Sequence, residues 1–384
     1  MSRTVVCVVG TRPEAVKMAP VVLRLRRGPP ALEVRVVTTG QHRGLLDRAL
    51  DDFGIASDLD LDLMVPGQGL PELTARALVA LSGVFARDRP DLVLAQGDTT
   101  TVLSTALACY YNRVPFGHVE AGLRTGRPYA PFPEEKNRVL AGHLADLHFA
   151  PTAAGRSNLL REGVDPATVH VTGNTVVDAL RTAAGDDRPP PPGTPAGRYV
   201  LVTAHRRENF GAPLFEICRA LRDLVEGHHD LSVVYPVHPN PAVRDVVHER
   251  LGGHDRVHLT EPAGYREFVS LMKRSYLILT DSGGVQEEAA ALGKPALVLR
   301  DETERPEAVA AGVVRLVGPR RDAIVAAFEE FWGRPGPPAR PAPAANPFGD
   351  GWASERIARV LAGRFGLDAG PPPDGFVPTF GPPA

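Results

Sequence analysis

Short runs of β-branched and aliphatic residues alternate with amphipathic stretches along most of the chain. In the first half, the runs predicted as strands are Thr4–Val9, Val34–Thr38, Leu92–Gln96, Phe116–Val119, Leu147–Ala150 and Val169–Thr172. The amphipathic patterns between them predict helices at Ala15–Arg26, Pro71–Arg87, Thr99–Tyr111 and Thr152–Arg161. Strands that alternate with helices in this way are typical of βαβ units and a parallel sheet.

The same alternation restarts after a proline-rich break at residues 185–197. The strands predicted beyond it are Tyr199–Thr203, Leu231–Tyr235, Val257–Leu259, Leu277–Thr280, Ala296–Leu299 and Val314–Leu316, with helices such as Pro213–Glu226 and Tyr265–Lys273. The break has no hydrophobic period, and its prolines remove backbone donors, so it is predicted to be an interdomain linker. We therefore predict an α/β protein with two Rossmann-like domains whose parallel sheets face a cleft.

The domain boundaries follow from these breaks. The predicted segments are an N-terminal domain at 1–184, a linker at 185–197, a C-terminal domain at 198–333, a connection with a helix at 334–367 and a tail at 368–384. The helical pattern Trp352–Phe365 has no strand of its own to follow, so it is predicted to pack back on the N-terminal domain. The tail is rich in proline and is predicted to be disordered.

Composition and charge exclude several classes of protein. Hydrophobic residues make up 43% of the chain, as expected for a globular protein with a large core. The net charge of −2, from 43 basic and 45 acidic residues, argues against a nucleic-acid partner. No apolar run reaches the roughly 18 residues of a membrane span, and no signal peptide is recognisable. Cys7, Cys109 and Cys218 are predicted to be buried reduced thiols, which favours a cytoplasmic location.

Carboxylates follow several predicted strands, at the edge where parallel sheets bind ligands. Asp98 follows the strand Leu92–Gln96, Glu120 directly follows Phe116–Val119, and Glu134 opens a helical pattern. Carboxylates crowded into one cleft raise one another's pKa, which suits proton transfer near neutral pH. The alternative for Asp98 is a helix N-cap, and for Glu134 an acid that favours the first turn of its helix.

Basic residues are candidates for binding an anion. Arg12 and Lys17 flank a predicted helix start after the first strand, where backbone amides favour a phosphate; the alternative is an exposed basic pair. His205 lies in an HRRE cluster after the first strand of the second domain and is a candidate for stabilising or protonating a leaving phosphate oxygen. His238 also ends a predicted strand and is a weaker candidate.

A strand followed by Ser282, Gly283 and Gly284 and then a helix predicts a diphosphate site. Glu288 lies one helical turn beyond Gly284, where its carboxylate can accept two hydrogen bonds from a ribose diol; Arg305 is a further cationic candidate. The alternative is a small-residue N-cap with close helix packing. Because GxGxxG, HExxH and clustered Cys/His sets are missing from the sequence, neither a nicotinamide cofactor nor a metal is predicted.

Eleven segments carry a resemblance to a known family, in order from residue 10 to about residue 357. They include GTRPEAVKMAP, TGQHRGLLD, QGDTTT, GHVEAGLRTG, PFPEEKNR, TGNTVVDAL, VTAHRREN and LTDSGGVQEEA. The sequence resembles the non-hydrolysing bacterial UDP-N-acetylglucosamine (UDP-GlcNAc) 2-epimerases. The resemblance implies a glycosyltransferase-B-like architecture. It also implies reversible conversion to UDP-N-acetylmannosamine (UDP-ManNAc) without a cofactor, by elimination of UDP to a 2-acetamidoglucal and re-addition.

The resemblance also implies residue roles. The implied catalytic residues are Asp98, Glu120, Glu134 and His205. The implied UDP-binding residues are Arg12, Lys17, Phe268, Ser282, Gly283, Gly284, Glu288 and Arg305. A second UDP-GlcNAc, acting as activator, is implied near Gln41, His42, Arg206 and His238. A homodimer that serves cell-surface polysaccharide or amino-sugar synthesis is expected, with no nucleic-acid or membrane partner.

Alternative functions remain open at this point. The substrate can be a modified UDP-HexNAc, such as a diacetamido uronic acid. A hydrolysing 2-epimerase would release UDP and free ManNAc. A glycosyltransferase of the same architecture would share the SGG–Glu nucleotide site without needing the three carboxylates. A binding-only nucleotide-sugar sensor is disfavoured, because all four candidate catalytic residues are intact.

Overall fold

The computed structural model describes residues 2–29, 31–40, 43–65, 67–185, 189–303, 305–332, 346–378 and 380. The chain divides into two units: unit 1 comprises Met1–Arg181 together with Phe348–Ala384, and unit 2 comprises Thr182–Pro347. Part of the predicted linker (186–188), residue 333 and the first part of the predicted connection (334–345) lie outside the described residues. Residues 189–197 of the predicted linker contain neither helix nor strand.

Unit 1 is built on a parallel sheet, which has seven strands in its described part. The strands are β1 Arg3–Val9, β2 Leu32–Thr38, β3 Leu59–Asp60, β4 Leu92–Gln96, β5 Phe116–Val119, β6 Leu147–Ala150 and β7 Val169–Val171. Their order in the sheet is β3-β2-β1-β4-β5-β6-β7. The direction of winding reverses between β1 and β4, and ligands bind in parallel sheets beside such a reversal, at the carboxyl ends of the strands.

Helices cover the sheet of unit 1. They are α1 Arg12–Arg26, α2 Arg43–Asp51, α3 Leu70–Asp88, α4 Thr100–Asn112, α5 Glu134–Leu144, α6 Ala153–Arg161 and α7 Thr175–Ala184, with α14 Ala353–Phe365 from the end of the chain. Because helices pack on a parallel sheet, its strands are near-continuous hydrophobic runs. All five residues of β4 are buried accordingly.

Unit 2 repeats this plan with six strands among its described residues. The strands are β8 Arg198–Thr203, β9 Leu231–Pro236, β10 Val257–Thr260, β11 Leu277–Thr280, β12 Ala296–Val298 and β13 Val314–Leu316. The helices are α8 Ala212–Gly227, α9 Pro241–Leu251, α10 Tyr265–Arg274, α11 Gly283–Leu292, α12 Pro306–Ala310 and α13 Arg321–Trp332. The strand order is β10-β9-β8-β11-β12-β13, so winding reverses between β8 and β11.

The prediction of an α/β protein with two Rossmann-like parallel sheets is confirmed. Every strand pairing in both sheets is parallel in the described part of the chain, and helices connect the strands. Each unit is therefore a Rossmann-like α/β layer structure. Among the helices that the structure describes, none is long and apolar enough to cross a membrane.

The last helix, α14, packs against the first helix, α1. Glu355 of α14 accepts hydrogen bonds from Arg24 of α1. The buried carboxylate of Asp178 on α7 accepts hydrogen bonds from the backbone amides of Ala353 and Ser354 in the first turn of α14. Such an acceptor satisfies amides that have no partner within their own helix. Unit 1 is thus built from both ends of the chain.

Residues 369–378 lie against α14 and α1, so the expectation of a disordered tail does not hold for them. Three guanidinium groups donate to backbone carbonyl oxygens of this segment: Arg24 to Ala369, Arg359 to Gly370 and Arg356 to Val377. The Phe376 ring lies 5.7 Å from the Arg356 guanidinium. Proline-rich composition indicates little apolar burial, but it does not reveal arginines on another segment that bind the chain through its carbonyl groups.

Candidate active site

The carboxyl ends of β1, β4 and β5 are joined by side-chain contacts within unit 1. Lys17 of α1, the helix that follows β1, donates a hydrogen bond to Glu120, which follows β5. Thr99, which follows β4, donates to Glu14 of α1. These contacts surround the point where the strand order reverses. Asp98 precedes Thr99, so two of the predicted carboxylates lie at this edge of the sheet.

Glu120 has a strained backbone and a buried side chain. Its φ angle is +66°, in the left-handed region that costs a non-glycine residue of order 1–3 kcal/mol. The residue is 8% exposed, and its partner Lys17 is 6% exposed. A Cβ atom on Gly122 would lie 2.2 Å from the Gly155 carbonyl oxygen, so the following turn also requires a glycine. Strain of this kind is concentrated at functional sites, and here it orients a buried carboxylate.

Side chains from α5 and β5 form hydrogen bonds with the backbone of the turn that carries Asp98. Asn137 of α5 donates its side-chain amide to the Asp98 carbonyl oxygen at 2.9 Å. His118 of β5 contacts the Gly97 carbonyl oxygen through Nε2 at 2.7 Å. Because burial lowers the pKa of His118 to about 4, the imidazole is neutral. A carbonyl oxygen only accepts, so Nε2 carries the proton and donates it.

Arg138 of α5 forms an ion pair with Asp98 and lies one helical turn after Glu134. The Arg138 side chain is 4% exposed and donates to Asp98 Oδ2. Glu134 is the first residue of α5 and lies four residues before Arg138, so the two project from the same face of the helix. The structure therefore brings the Asp98 carboxylate to the face of α5 that bears Glu134. Arg138 was not predicted as a site residue, although its position one helical turn after Glu134 places it on the same face of the helix.

Glu134 and its neighbour Glu135 have different surroundings. Glu135 is buried and accepts hydrogen bonds from the backbone amides of Thr125 and Gly126, at 2.9 to 3.1 Å, so it stabilises a turn. Among the described residues, Glu134 Oε2 is buried without a hydrogen-bond partner. A buried carboxylate oxygen that binds no protein donor is suited to receive a group from a ligand.

The start of α1 presents a further buried carboxyl group, Glu14, which was not predicted as a site residue. Glu14 is 2% exposed and accepts hydrogen bonds from the backbone amides of Gly10 and Thr11, at 2.7 and 2.6 Å. Burial raises the pKa of Glu14 to about 7. Arg12 is the first residue of the helix and is partly exposed. Lys17, the other basic residue predicted to bind an anion here, is buried and pairs with Glu120.

Glu14 is expected to make the stability of unit 1 depend on pH. Its folded pKa of about 7 lies above the ordinary value of 4.5, so the folded state binds the proton more tightly. Stability is then highest below pH 4.5 for this group and is lost as pH rises towards 7, by on the order of 3 kcal/mol at about 1.4 kcal/mol per pKa unit. Melting temperatures from pH 5 to 8 should fall more steeply in the wild type than in Glu14→Gln, which is neutral throughout. Parallel curves would contradict a buried titrating Glu14.

In unit 2, Asp281 organises the segment that carries His205. Asp281 is fully buried, and its Oδ2 accepts hydrogen bonds from the backbone amides of His205 and Arg206, both at 2.8 Å, and from the Asn209 side chain at 2.9 Å. Its Oδ1 lies 3.7 Å from His205 Nδ1. The carboxylate therefore attracts a proton on the His205 ring. Sequence reasoning missed this role, although Asp281 directly follows β11.

The residues expected near an activator are only partly described. Gln41 and His42 lie outside the described residues. The His238 ring stacks on the His205 ring, with centroids 5.3 Å apart and planes at 14°. Arg206 Nε is buried and has no hydrogen-bond partner in the described part of the chain. Two of the four expected residues thus adjoin the predicted catalytic histidine.

The SGG turn opens α11 at the winding reversal of unit 2. Ser282 is the N-cap residue, and Gly283 and Gly284 begin the helix. A Cβ on Gly283 would lie 2.4 Å from Arg305 Nη1, so the guanidinium packs directly on this turn. Arg305 Nε also donates to the fully buried Glu287 at 2.7 Å. The turn thus combines helix amides with a fixed cation, and both favour an anion.

Glu288 and Phe268 belong to two helices of unit 2 that contact each other. Glu288 lies on α11, one turn beyond Gly284, and is 6% exposed. Phe268 lies on α10 and is 8% exposed. The structure therefore brings the predicted ribose and uracil residues to helices that pack side by side.

Comparison with known proteins identifies relatives along nearly the whole chain. A family model described as UDP-N-acetylglucosamine 2-epimerase matches residues 24–362. The UDP-N-acetylglucosamine 2-epimerase of Escherichia coli K12 is 50% identical over 368 residues, which cover 93% of this chain and 98% of that protein. A match of this extent includes all three carboxylates and the SGG turn.

Two solved structures are similar in sequence and in fold. The UDP-GlcNAc 2-epimerase of Neisseria meningitidis, bound to UDP-GlcNAc, has a TM-score of 0.88 and 43% identity, covering 94% of this chain and 100% of that chain. The enzyme of Methanocaldococcus jannaschii, in complex with UDP-GlcNAc and UDP, has a TM-score of 0.83 and 33% identity, covering 94% and 99%. Both units therefore have the architecture of these proteins.

Proposed function

The chain belongs to the UDP-N-acetylglucosamine 2-epimerase family, and on that premise we propose that it reversibly converts UDP-GlcNAc to UDP-ManNAc. The observation that carries this proposal is the group of carboxylates Asp98, Glu120 and Glu134 around the winding reversal of unit 1. The name of the E. coli relative and the UDP-GlcNAc bound to the N. meningitidis relative support the substrate.

The chemistry explains why an acid–base group is needed at C2. The C2–H bond of a pyranose has no adjacent carbonyl group and is not acidic. As UDP leaves C1, positive charge grows on that carbon and acidifies the C2 proton. A base then removes the proton to give a 2-acetamidoglucal and UDP. Re-addition of UDP with protonation from the opposite face completes the inversion, and every atom is conserved.

We assign the proton transfers to unit 1. Asp98 and Glu120 each contact a buried cation, Arg138 and Lys17 respectively. Glu134 has a buried oxygen that binds no protein donor among the described residues. Two faces of C2 need two proton-transfer groups, and the third carboxylate can hold the sugar in place.

We assign the binding of UDP to unit 2; Arg12, partly exposed at the start of α1, stays a candidate for binding an anion. The amides of the SGG turn and the Arg305 guanidinium suit the diphosphate, and the carboxylate of Glu288 suits the ribose diol. His205 beside Asp281 is suited to stabilise the leaving phosphate oxygen. Phe268 is assigned to the uracil.

Turnover in D₂O is expected to place deuterium at C2 of both epimers, because the proton removed by the base exchanges with solvent before re-addition. The protein is incubated with UDP-GlcNAc alone, and the anomeric and C2 proton signals are followed by NMR. A boiled sample serves as control. Epimerisation without incorporation at C2 would rule out the elimination route.

The same spectra separate the alternative functions. A hydrolysing epimerase would accumulate UDP and free ManNAc. A glycosyltransferase without an acceptor would leave C2 unchanged. An enzyme specific for a modified UDP-HexNAc would leave UDP-GlcNAc unchanged but would epimerise a diacetamido uronic acid analogue. Interconversion of the two UDP-sugars without free sugar supports the proposal.

A second UDP-GlcNAc is proposed to act as an activator near Arg206 and His238. The stacking of His238 on His205 supports this, because a ligand that moves the His238 ring would also shift the His205 ring. Steady-state rates against UDP-GlcNAc concentration test the proposal. Upward curvature in the wild type that disappears in His238→Ala supports it, and identical hyperbolic curves contradict it.

A homodimer is also proposed, formed through neighbouring helices of unit 1. Val79 on α3 is 74% exposed, and Tyr110 and Tyr111 on α4 are 65% and 64% exposed. Large exposed apolar side chains on adjacent helices are typical of an interface. Light scattering is expected to give twice the 41.1 kDa chain mass for the wild type and the chain mass for Tyr111→Arg. Tyr129→Arg, in a loop, is the control and should stay dimeric.

The enzyme is proposed to act in the cytoplasm, where it would supply UDP-ManNAc for cell-surface polysaccharides or other amino sugars. Cys7, Cys109 and Cys218 are buried with free thiols, and burial raises the pKa of Cys7 to about 12. Thiols of this kind suit a reducing compartment. Fractionation of cells that express the protein tests the location.

A further inference from the structure

Glu120 is contacted by a second residue besides Lys17. The side-chain amide of Asn174, in the turn between β7 and α7, donates to Glu120 Oε2 at 3.0 Å. Asn174 is 2% exposed, so the hydrogen bond lies within the protein interior. Lys17 donates to the same oxygen from α1. The carboxylate is therefore bound by one charged donor and one neutral donor on different elements.

The orientation of the Asn174 amide is fixed by its own backbone contacts. Its Oδ1 accepts a hydrogen bond from the backbone amide of Val176 at 3.1 Å, in the first turn of α7. This leaves Nδ2 as the group that faces Glu120, and an amide nitrogen only donates. The Asn174 backbone amide itself donates to the Phe348 carbonyl oxygen at 2.5 Å. Both ends of the residue are therefore held in place.

The C-terminal segment of unit 1 supports this turn. A Cβ atom on Gly173 would lie 3.3 Å from Gly349 Cα, so the two backbones touch. Arg356 of α14 donates to the Thr172 carbonyl oxygen at 2.8 Å and to Asp350 at 2.9 and 2.6 Å. The chain beyond residue 347 thus fixes the turn that contacts Glu120.

We propose that Asn174 is a positioning residue for Glu120, and that the C-terminal segment of unit 1 holds Asn174 in place for this purpose. This inference rests on the proposed function. Lys17 supplies charge to the carboxylate, but an ammonium group is flexible and binds from many directions. The rigid amide selects one orientation of the Glu120 carboxylate, and a small error in the direction of a base has a large effect on rate.

The isosteric variant Asn174→Asp tests the inference most directly. Its side chain still accepts the hydrogen bond from Val176 and has the same size, so α7 keeps its first turn. It replaces the donor with a second carboxylate about 3 Å from Glu120, and like charges at this distance raise the pKa of the pair. The charged group that faces Glu120 from α1 is Lys17, and His118 on β5 stays neutral above pH of about 4.

The expected result is a fall in kcat of about 10-fold or more at pH 7, with KM for UDP-GlcNAc changed by less than about twofold. The acid limb of the kcat–pH profile should move up by about one pH unit, and activity should recover towards pH 9. A merely structural defect would not recover with pH. Asn174→Ala should also lose kcat but move the acid limb upward by less, because it removes a donor to the Glu120 carboxylate without adding a second negative charge.

Asn112→Asp is the matched control. Asn112 lies at the carboxyl end of α4, where its side-chain amide donates to the Ala108 carbonyl oxygen. The variant makes the same chemical change away from the carboxylates and should keep the wild-type profile. Melting temperature and UDP affinity are measured for all variants.

An active wild type with an unchanged Asn174→Asp profile would overturn the inference alone. So would a pH-independent loss of kcat that matches a loss of melting temperature or UDP affinity. A wild type that does not epimerise UDP-GlcNAc would overturn the proposed function, and the inference with it.

Discussion

Conversion of Asp98, Glu120 or Glu134 to the corresponding amide is expected to lower kcat for epimerisation by about 10²–10⁴-fold, the range typical of a lost general acid or base. An amide has nearly the same shape as a carboxylate but cannot take up a proton near neutral pH. Each variant is assayed for interconversion of UDP-GlcNAc and UDP-ManNAc. Deuterium incorporation at C2 should fall in parallel if the residue acts at the proton-transfer step.

The control for Glu134 is Glu72→Gln. Glu72 is an exposed carboxylate in the first turn of α3, as Glu134 is in α5, and it lies away from the carboxylate group. Its variant should keep the wild-type kcat. Glu120→Gln removes the carboxylate that pairs with the buried Lys17 ammonium, so activity is compared well below the melting temperature. Near-wild-type turnover in any of the three would show that its carboxylate only stabilises local structure.

Arg305→Met is expected to destabilise unit 2 by about 3–5 kcal/mol, because the buried Glu287 carboxylate would lose its ion pair with the Arg305 guanidinium. Glu287 is fully buried, and Arg305 is only 5% exposed. At about 2–4 °C per kcal/mol, the melting temperature of unit 2 should fall by roughly 6–20 °C. Differential scanning calorimetry measures the change.

A double variant separates the stability role of Arg305 from its role in binding. Arg305→Met combined with Glu287→Leu removes both charges, which is often neutral for stability. Its melting temperature should return most of the way to the wild-type value, while its UDP affinity stays low if the guanidinium binds the diphosphate. Recovery of both stability and affinity would limit Arg305 to a structural role.

Hydrophobic periodicity predicts the sheets well where strands are buried on both faces. The strands β4, β5, β6 and β11 have the predicted bounds, because each is an apolar run between polar turns. The two-residue strand β3 was not predicted, since two residues carry no period. The order of the tail residues 369–378 depends on contacts with arginines distant in sequence, which no local pattern records.

The candidate site was predictable wherever a polar residue follows a strand. That rule selects Asp98 and Glu120 correctly as residues at one edge of the sheet. Applied to β7 and β11, the rule also selects Asn174 and Asp281, which lie in the segments TGNTVVDAL and LTDSGGVQEEA. It does not find His118, because this residue lies within a buried strand and acts through a carbonyl group. Nor does it reveal which carboxylate is bound by a cation, since Arg138 is on a helix.

Because α14 belongs to unit 1, unit 1 can be completed only after the ribosome has made all of unit 2. Residues up to Arg181 emerge first, but the helix that covers α1 is made only after all of unit 2. At about 5–20 residues per second, unit 1 waits roughly 10–30 s for α14. During this interval the surface of α1 beneath α14 is exposed to chaperones and to neighbouring nascent chains, whereas unit 2, continuous in sequence, can fold as soon as it emerges.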